Sequence, residues 1–179
     1  MAGPGWRFCL WVQGCSRHCE GCMATETWPK DSGTRMDTAQ LAECISATKD
    51  IEGITFLGGE PFEQPVALAE LAAGAQAAGL SVVTFTGFYY SQLLALDLEG
   101  VSELLNLTDL LIEGPFQQQL FDLSRPWVGS SNQLFRFLTK RYCEEDLAGI
   151  NNQIEVRIDA QGNAMVNGMG DFTKIKELL

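Results

Sequence analysis

The sequence has little positive charge and no long apolar run. Twelve Lys and Arg residues stand against 23 Asp and Glu in 179 residues, a net charge of −11. A protein that grips polynucleotide normally presents a basic face, because neutralising phosphates supplies much of the affinity. A nucleic-acid substrate is therefore not expected. No apolar stretch approaches the roughly 18 residues of a membrane span, so no membrane partner is expected. The opening segment Met1–Arg7 lacks a charged stretch followed by an apolar one; no secretory signal is read there, and a cytoplasmic location is expected. Repeats, low-complexity tracts and linkers are missing too. Residues 1–179 read as a single domain, long enough for a hydrophobic core.

Disulfide-style spacing is also missing. Of six cysteines, three fall within eight residues, Cys15-Ser-Arg-His-Cys19-Glu-Gly-Cys22, while Cys9, Cys44 and Cys143 are scattered. A disulfide framework spreads its cysteines and needs an oxidising compartment. The clustered three read as metal ligands and the scattered three as small core residues. Charge is uneven as well. Residues 1–36 hold four basic and three acidic groups, leaving eight basic and twenty acidic groups for the rest. A near-neutral cysteine region on an acidic body suits the approach of an acidic electron donor, or is ordinary solvated surface.

What is present is an alternation of short β-like runs and helical stretches. Phe8–Gln13 reads as a strand leading into the cysteine loop, and Thr38 to about Lys49 as a helix capped by Asp37 or Thr38. Ile54–Leu57, Leu80–Phe85, Leu110–Ile112 and Leu134–Leu138 read as further strands. Pro65–Ala78 and Tyr90–Leu98 read as helices, the first ended by Gly79. Such alternation predicts right-handed crossovers and a parallel sheet, with ligands beyond the C-terminal strand ends. Ile154–Ile158 and Ala164–Val166 flank a turn and predict a β-hairpin.

Three thiolates at C-x3-C-x2-C spacing suit a [4Fe–4S] cube that keeps one iron free of protein ligands. That open corner can bind a small molecule, and radical chemistry is one use of it. The competing reading is zinc, completed by His18 or a distant cysteine. Gly58-Gly59-Glu60-Pro61 at a strand end adds a second element. Its glycines allow close approach to the backbone, and its carbonyls and the Glu60 carboxylate could accept from a ligand's ammonium.

Together these motifs resemble the radical S-adenosylmethionine (SAM) superfamily, and most closely the small activating-enzyme branch that serves anaerobic ribonucleotide reductases. The resemblance rests on Gly3–Arg7, Val12–Cys15, Cys19–Cys22, Glu26–Trp28, Leu57–Pro61, Thr86–Phe88, Leu111–Phe116 and Trp127–Gln133. It implies an α/β fold, a partial (β/α)6 barrel open on one side, ending in the β-hairpin and a short helix. It implies an enzyme whose cofactors are a [4Fe–4S] cluster on Cys15, Cys19 and Cys22, and SAM, cleaved reductively to give a 5′-deoxyadenosyl radical. Gly58, Gly59 and Glu60 would hold the methionine part of SAM, and the Gly21 backbone would lie under the adenine. Thr86 and Glu113 would stand near SAM, and Ser130, Ser131 and Asn132 would contact SAM or substrate.

The chain departs from typical activators in having only two residues before Gly3-Pro-Gly and Met23-Ala24 directly after the last cysteine. A short, open barrel suits a large substrate that plugs the gap and excludes water. The expected substrate is a polypeptide: a glycyl-radical enzyme's loop, or a precursor peptide modified with the help of a leader-peptide-binding protein, as in spliceases. A flavodoxin or ferredoxin is the expected reductant. The alternatives are a zinc-stabilised binding module, or a radical SAM enzyme acting on a small metabolite.

Overall fold

The computed structural model describes residues 2–168 and 170. Four apolar segments lie side by side in chain order and run parallel: β1 (Arg7–Val12), β2 (Gly53–Gly58), β3 (Ser81–Phe85) and β4 (Leu110–Glu113). The period of two along each strand separates their side chains onto two faces. Phe8, Leu10 and Val12 of β1, Ile54 and Phe56 of β2, Val82 of β3 and Leu111 of β4 join the core built with the helices. Val83, Leu110 and Ile112 belong to a second cluster with Trp127, Val128 and Leu147. Phe56 is fully buried, and a side chain of that size removed from water contributes about 2–3 kcal/mol.

The crossovers carry the helices. α1 (Thr38–Ala47) starts where the Asp37 carboxylate accepts from Ala39 N at 2.8 Å. α2 (Pro65–Ala77) has proline in its first turn, where no amide hydrogen is needed, and buries Leu68, Leu71, Ala72 and Ala75. It ends one residue before the expected limit, at an Ala78 cap followed by Gly79 with φ +81°. α3 (Tyr90–Leu94) is shorter than the predicted Tyr90–Leu98. Leu94, Leu96 and Leu98 are exposed, so nothing rewards continuing the helix. The chain breaks at Gly100 and starts α4 (Val101–Asn106), which buries Val101, Leu104 and Leu105.

Two expectations need correction. The fifth strand, β5 (Leu134–Phe137), pairs with β4 antiparallel, with Glu113 opposite Leu134. The link from β4 contains only a 3₁₀ turn, Gln118–Leu120, and without a crossover helix the chain turns back on the same edge. The scattered cysteines are not core residues. Cys44 and Cys143 are exposed and Cys9 is half-buried; Cys44 lies off the α1 stripe of Leu41 and Ile45 that meets the core, and Cys143 caps the short helix α5 (Glu144–Leu147). The predicted hairpin forms as β6 (Ile154–Ile158) and β7 (Ala164–Gly168). Its turn is closed by the Asp159 carboxylate, which accepts from Gln161 N and Asn163 N. The short helix expected after it lies outside the described residues.

At the start of β1, Arg7 ties the N-terminal end of the sheet together. Its guanidinium donates to Thr55 Oγ1 (2.7 Å), the Pro4 carbonyl, Ser81 Oγ, Tyr142 OH, and the Ile54 and Ser81 carbonyls. Among the described residues, no helix is long and apolar enough to cross a membrane.

Candidate functional site

The opposite end of the sheet carries the cysteine loop. It leaves β1 at Val12 and returns along its own start: Gly14 N donates to the Thr27 carbonyl at 2.8 Å and Cys15 N to the Trp28 carbonyl at 3.1 Å. Gln13 closes the loop, its Nε2 donating to the Glu26 and Pro29 carbonyls and to Ser32 Oγ. His18, at φ +42°, stacks on Trp28 with ring centroids 4.7 Å apart.

This loop lies directly on the Gly58–Gly59 turn at the end of β2. Gly59 N donates to the Val12 carbonyl and Glu60 N to the Gly14 carbonyl, both at 2.8 Å. A side chain at Gly59 would place its Cβ 2.2 Å from the Gly14 carbonyl oxygen, and one at Gly58 would meet the Val12 backbone at 2.8 Å. The two glycines are therefore required for backbone contact between the motifs. A second carboxylate in the same turn, Glu63, accepts from Ser16 N at 2.6 Å and stands 3.5 Å from Lys30 Nζ. Glu63 belongs to no motif of the sequence, and its only signal is its place three residues after Glu60.

Cys15, Cys19 and Cys22 are free thiols, each half-buried. Burial pushes the Cys15 thiol up, against the N–H groups of Arg17 and His18 that point at its sulfur. Burial likewise raises Cys19, opposed by the N–H of Phe116. Backbone N–H groups aimed at sulfurs suit bound thiolates and tune a cluster's potential. No three His, Cys, Asp or Glu side chains among the described residues converge as ligands of one metal ion. A cube asks for a different arrangement, each thiolate meeting its own iron. The donor set and the glycine turn beside it fit the cluster with an open corner.

The two candidate carboxylates are turned inward. Glu60 is fully buried; Oε1 accepts from Phe62 N (3.0 Å) and Thr86 Oγ1 (2.9 Å), and Oε2 from Gly87 N (2.8 Å). Burial raises its pKa to about 7 against these three hydrogen bonds. Glu113, 1% exposed, accepts from Arg136 Nε at 2.7 Å and from Tyr90 N. Arg136 in turn lies 4.5 Å over the Tyr90 ring. Glu60 thus joins the loops after β2 and β3, and Glu113 joins β4, β5 and the start of α3.

The remaining candidates gather around the link from β4 to β5. Ser130 is fully buried and its Oγ accepts from Gln117 N at 3.2 Å. Ser131 is exposed. Asn132 donates to the Pro115 carbonyl at 2.8 Å, while its Oδ1 is buried without a partner. Gly21, at φ +77°, faces Phe116 and Gln118 of the same link: a Cβ there would come within 2.9 Å of Gln118 Oε1. Arg125 holds the link in shape by donating to the carbonyls of Ser130, Ser131 and Gln133. Arg17, not singled out from the sequence, lies across Gly87 with its guanidinium 4.6 Å over the Phe88 ring.

Residues 1–136 match the model of the 4Fe–4S single cluster domain. The anaerobic ribonucleoside-triphosphate reductase-activating protein of Salmonella typhi is 32% identical over 145 residues, covering 76% of this chain and 91% of the relative. That of Escherichia coli K12 matches to the same extent, and that of phage T4 is 30% identical over 138 residues, covering 73% and 83%. The chain belongs to the radical SAM activating-protein family. It is an enzyme, and its cofactors are a [4Fe–4S] cluster and SAM.

Proposed function

We propose that this activating-family enzyme takes hydrogen from a polypeptide, and that the polypeptide is the glycyl-radical loop of an anaerobic ribonucleotide reductase. The observation that carries the reading is the docking of the cysteine loop, by two 2.8 Å backbone hydrogen bonds, onto the Gly58–Gly59 turn at one end of the sheet. The reductase-activating relatives support the choice of polypeptide, because they match this chain over nine-tenths of their own length. Residues 1–179 are read as one domain, and the open sheet as part of a (β/α)6 barrel with a lateral gap through which a large substrate enters.

When bound, the cluster and SAM supply one-electron cleavage of the sulfonium and a radical that abstracts hydrogen. Cys15, Cys19 and Cys22 hold the cluster in this reading, and the Gly58 and Gly59 backbone receives the methionyl group. The Gly21 backbone, Thr86, Ser131 and Asn132 face SAM or substrate. Glu60, Glu113 and Ser130 act at one remove, keeping the strand-end loops in register through Thr86, Arg136 and Gln117. A small acidic flavin or iron–sulfur protein such as a flavodoxin or ferredoxin is the reductant, and the near-neutral loop spares it the repulsion of the acidic body. A cytoplasmic location belongs to the same reading.

The test is anaerobic reconstitution with iron and sulfide, followed by dithionite and SAM. The enzyme is expected to release 5′-deoxyadenosine, and Cys15→Ala to release none. With a reductase C-terminal peptide added, a glycyl-radical signal should appear by electron paramagnetic resonance. SAM cleavage without a peptide radical would redirect the substrate to another polypeptide or a metabolite. A purified protein with one zinc, no labile sulfide and no cleavage would sink the radical reading altogether.

A further inference from the structure

Buried polar atoms are almost always paired, so the exceptions point to something that completes them. Three buried side-chain polar atoms among the described residues lack a hydrogen-bond partner: Arg17 Nε, Glu63 Oε2 and Asn132 Oδ1. All three stand at the end of the sheet that carries the cysteine loop. Glu63 Oε2 has the Lys30 ammonium 3.5 Å away. The other two have no such neighbour, and they are a donor and an acceptor.

Arg17 is the more informative. It sits between Cys15 and Cys19, and its stem crosses Gly87, where a Cβ would come within 3.0 Å of Arg17 Cγ. One face of the guanidinium rests on the Phe88 ring at 4.6 Å. That stacking fixes the plane of the group while leaving the N–H donors at its edge free. A planar fork held this way matches a carboxylate, which it can grip through two parallel hydrogen bonds. Among the described residues no carboxylate takes that place, and Glu60 and Glu113 are both committed to internal donors.

We infer that Arg17 is a carboxylate-binding residue, and that it receives the α-carboxylate of the methionyl group of SAM. The assignment rests on the proposed seat of that group at Gly58 and Gly59, one loop away from Phe88. Asn132 Oδ1, in the link from β4 to β5 at the same end of the sheet, is left as an acceptor for a hydroxyl or N–H of the same ligand. A residue that merely balanced the negative charge of the thiolates would not distinguish ligands by their carboxylate, and this separates the two roles.

The experiment uses the reconstituted full chain and measures anaerobic binding of SAM and of decarboxylated SAM by calorimetry, with iron and sulfide content checked for every variant. Wild type is expected to prefer SAM. Arg17→Met should weaken SAM at least tenfold and leave decarboxylated SAM within about twofold, and Arg17→Lys should recover part of the SAM affinity, since a point charge replaces the fork. Should Arg17→Met fail to load a cluster, Arg17→Lys against wild type carries the same comparison. Equal losses for both ligands, or a shifted cluster potential with unchanged preference, overturn the assignment in favour of charge balance. Wild type that holds a cluster and binds neither ligand overturns the functional reading beneath it, whereas wild type that binds SAM with Arg17→Met unaltered overturns only the role of Arg17.

Discussion

Two arginines ten residues apart mark the two ends of the sheet. Arg7, entering β1, donates to six oxygen atoms from five residues of four different segments. Arg17, just past the end of β1, has a buried Nε with no partner. The end that closes itself is structural, and the end that leaves a donor open is the one built to receive something. Glu60 and Glu113 sharpen the contrast, because they stand at the open end yet behave like Arg7, with their oxygens taken by internal donors.

The largest test of this contrast is Arg7→Met. It strands several acceptors at the closed end, each worth about 1 kcal/mol or more, so denaturant unfolding should show a loss of about 3 kcal/mol or more. Arg17→Met should change stability by no more than about 0.5 kcal/mol, as expected for a side chain with no internal hydrogen bonds. Equal losses for the two variants would break the comparison. Gly59→Ala is the next in size. Its Cβ would meet the Gly14 carbonyl oxygen at 2.2 Å, which forces the cysteine loop off the turn. A loss of about 2 kcal/mol in unfolding free energy and fewer irons per reconstituted chain are the expected readings.

The smallest effect is a slope. Burial raises the Glu60 carboxyl from the ordinary 4.5 to about 7. The folded state then holds the proton more tightly than the unfolded one, so the group's contribution is complete below pH 4.5 and is lost as pH rises to about 7. Glu60→Gln, which cannot titrate, should flatten the melting temperature across that window. A variant whose profile matches wild type would show that the Thr86 and Gly87 contacts already hold the carboxylate charged without cost.

The parts legible in the sequence are local ones. The cysteine spacing, the glycine pair, the parallel strands and the hairpin each show within a dozen residues, because a loop, a turn or a strand face is set by near neighbours. The direction of β5 was not legible, since the 114–133 link has turn residues rather than helical periodicity and only pairing with β4 decides its course. Cys44 sat at helical spacing with Leu41 and Ile45, yet the rotation of α1 against the sheet left it exposed. Which side chains hold Glu60 and Glu113 was not legible either, since Thr86 and Arg136 lie 26 and 23 residues away from them in the chain. Arg17 and Glu63 had no pattern to announce them.

From sequence alone came the chemistry: three thiols on one loop and a glycine turn able to meet a ligand through its backbone, both consequences of residue type and spacing. Only the tertiary structure decided which polar groups are spent and which are left over. That division depends on long-range hydrogen bonds, where Thr86 and Arg136 reach the two carboxylates and, among the described residues, no acceptor reaches Arg17 Nε. A donor's availability is a property of everything packed around it, and no short stretch of sequence contains that information.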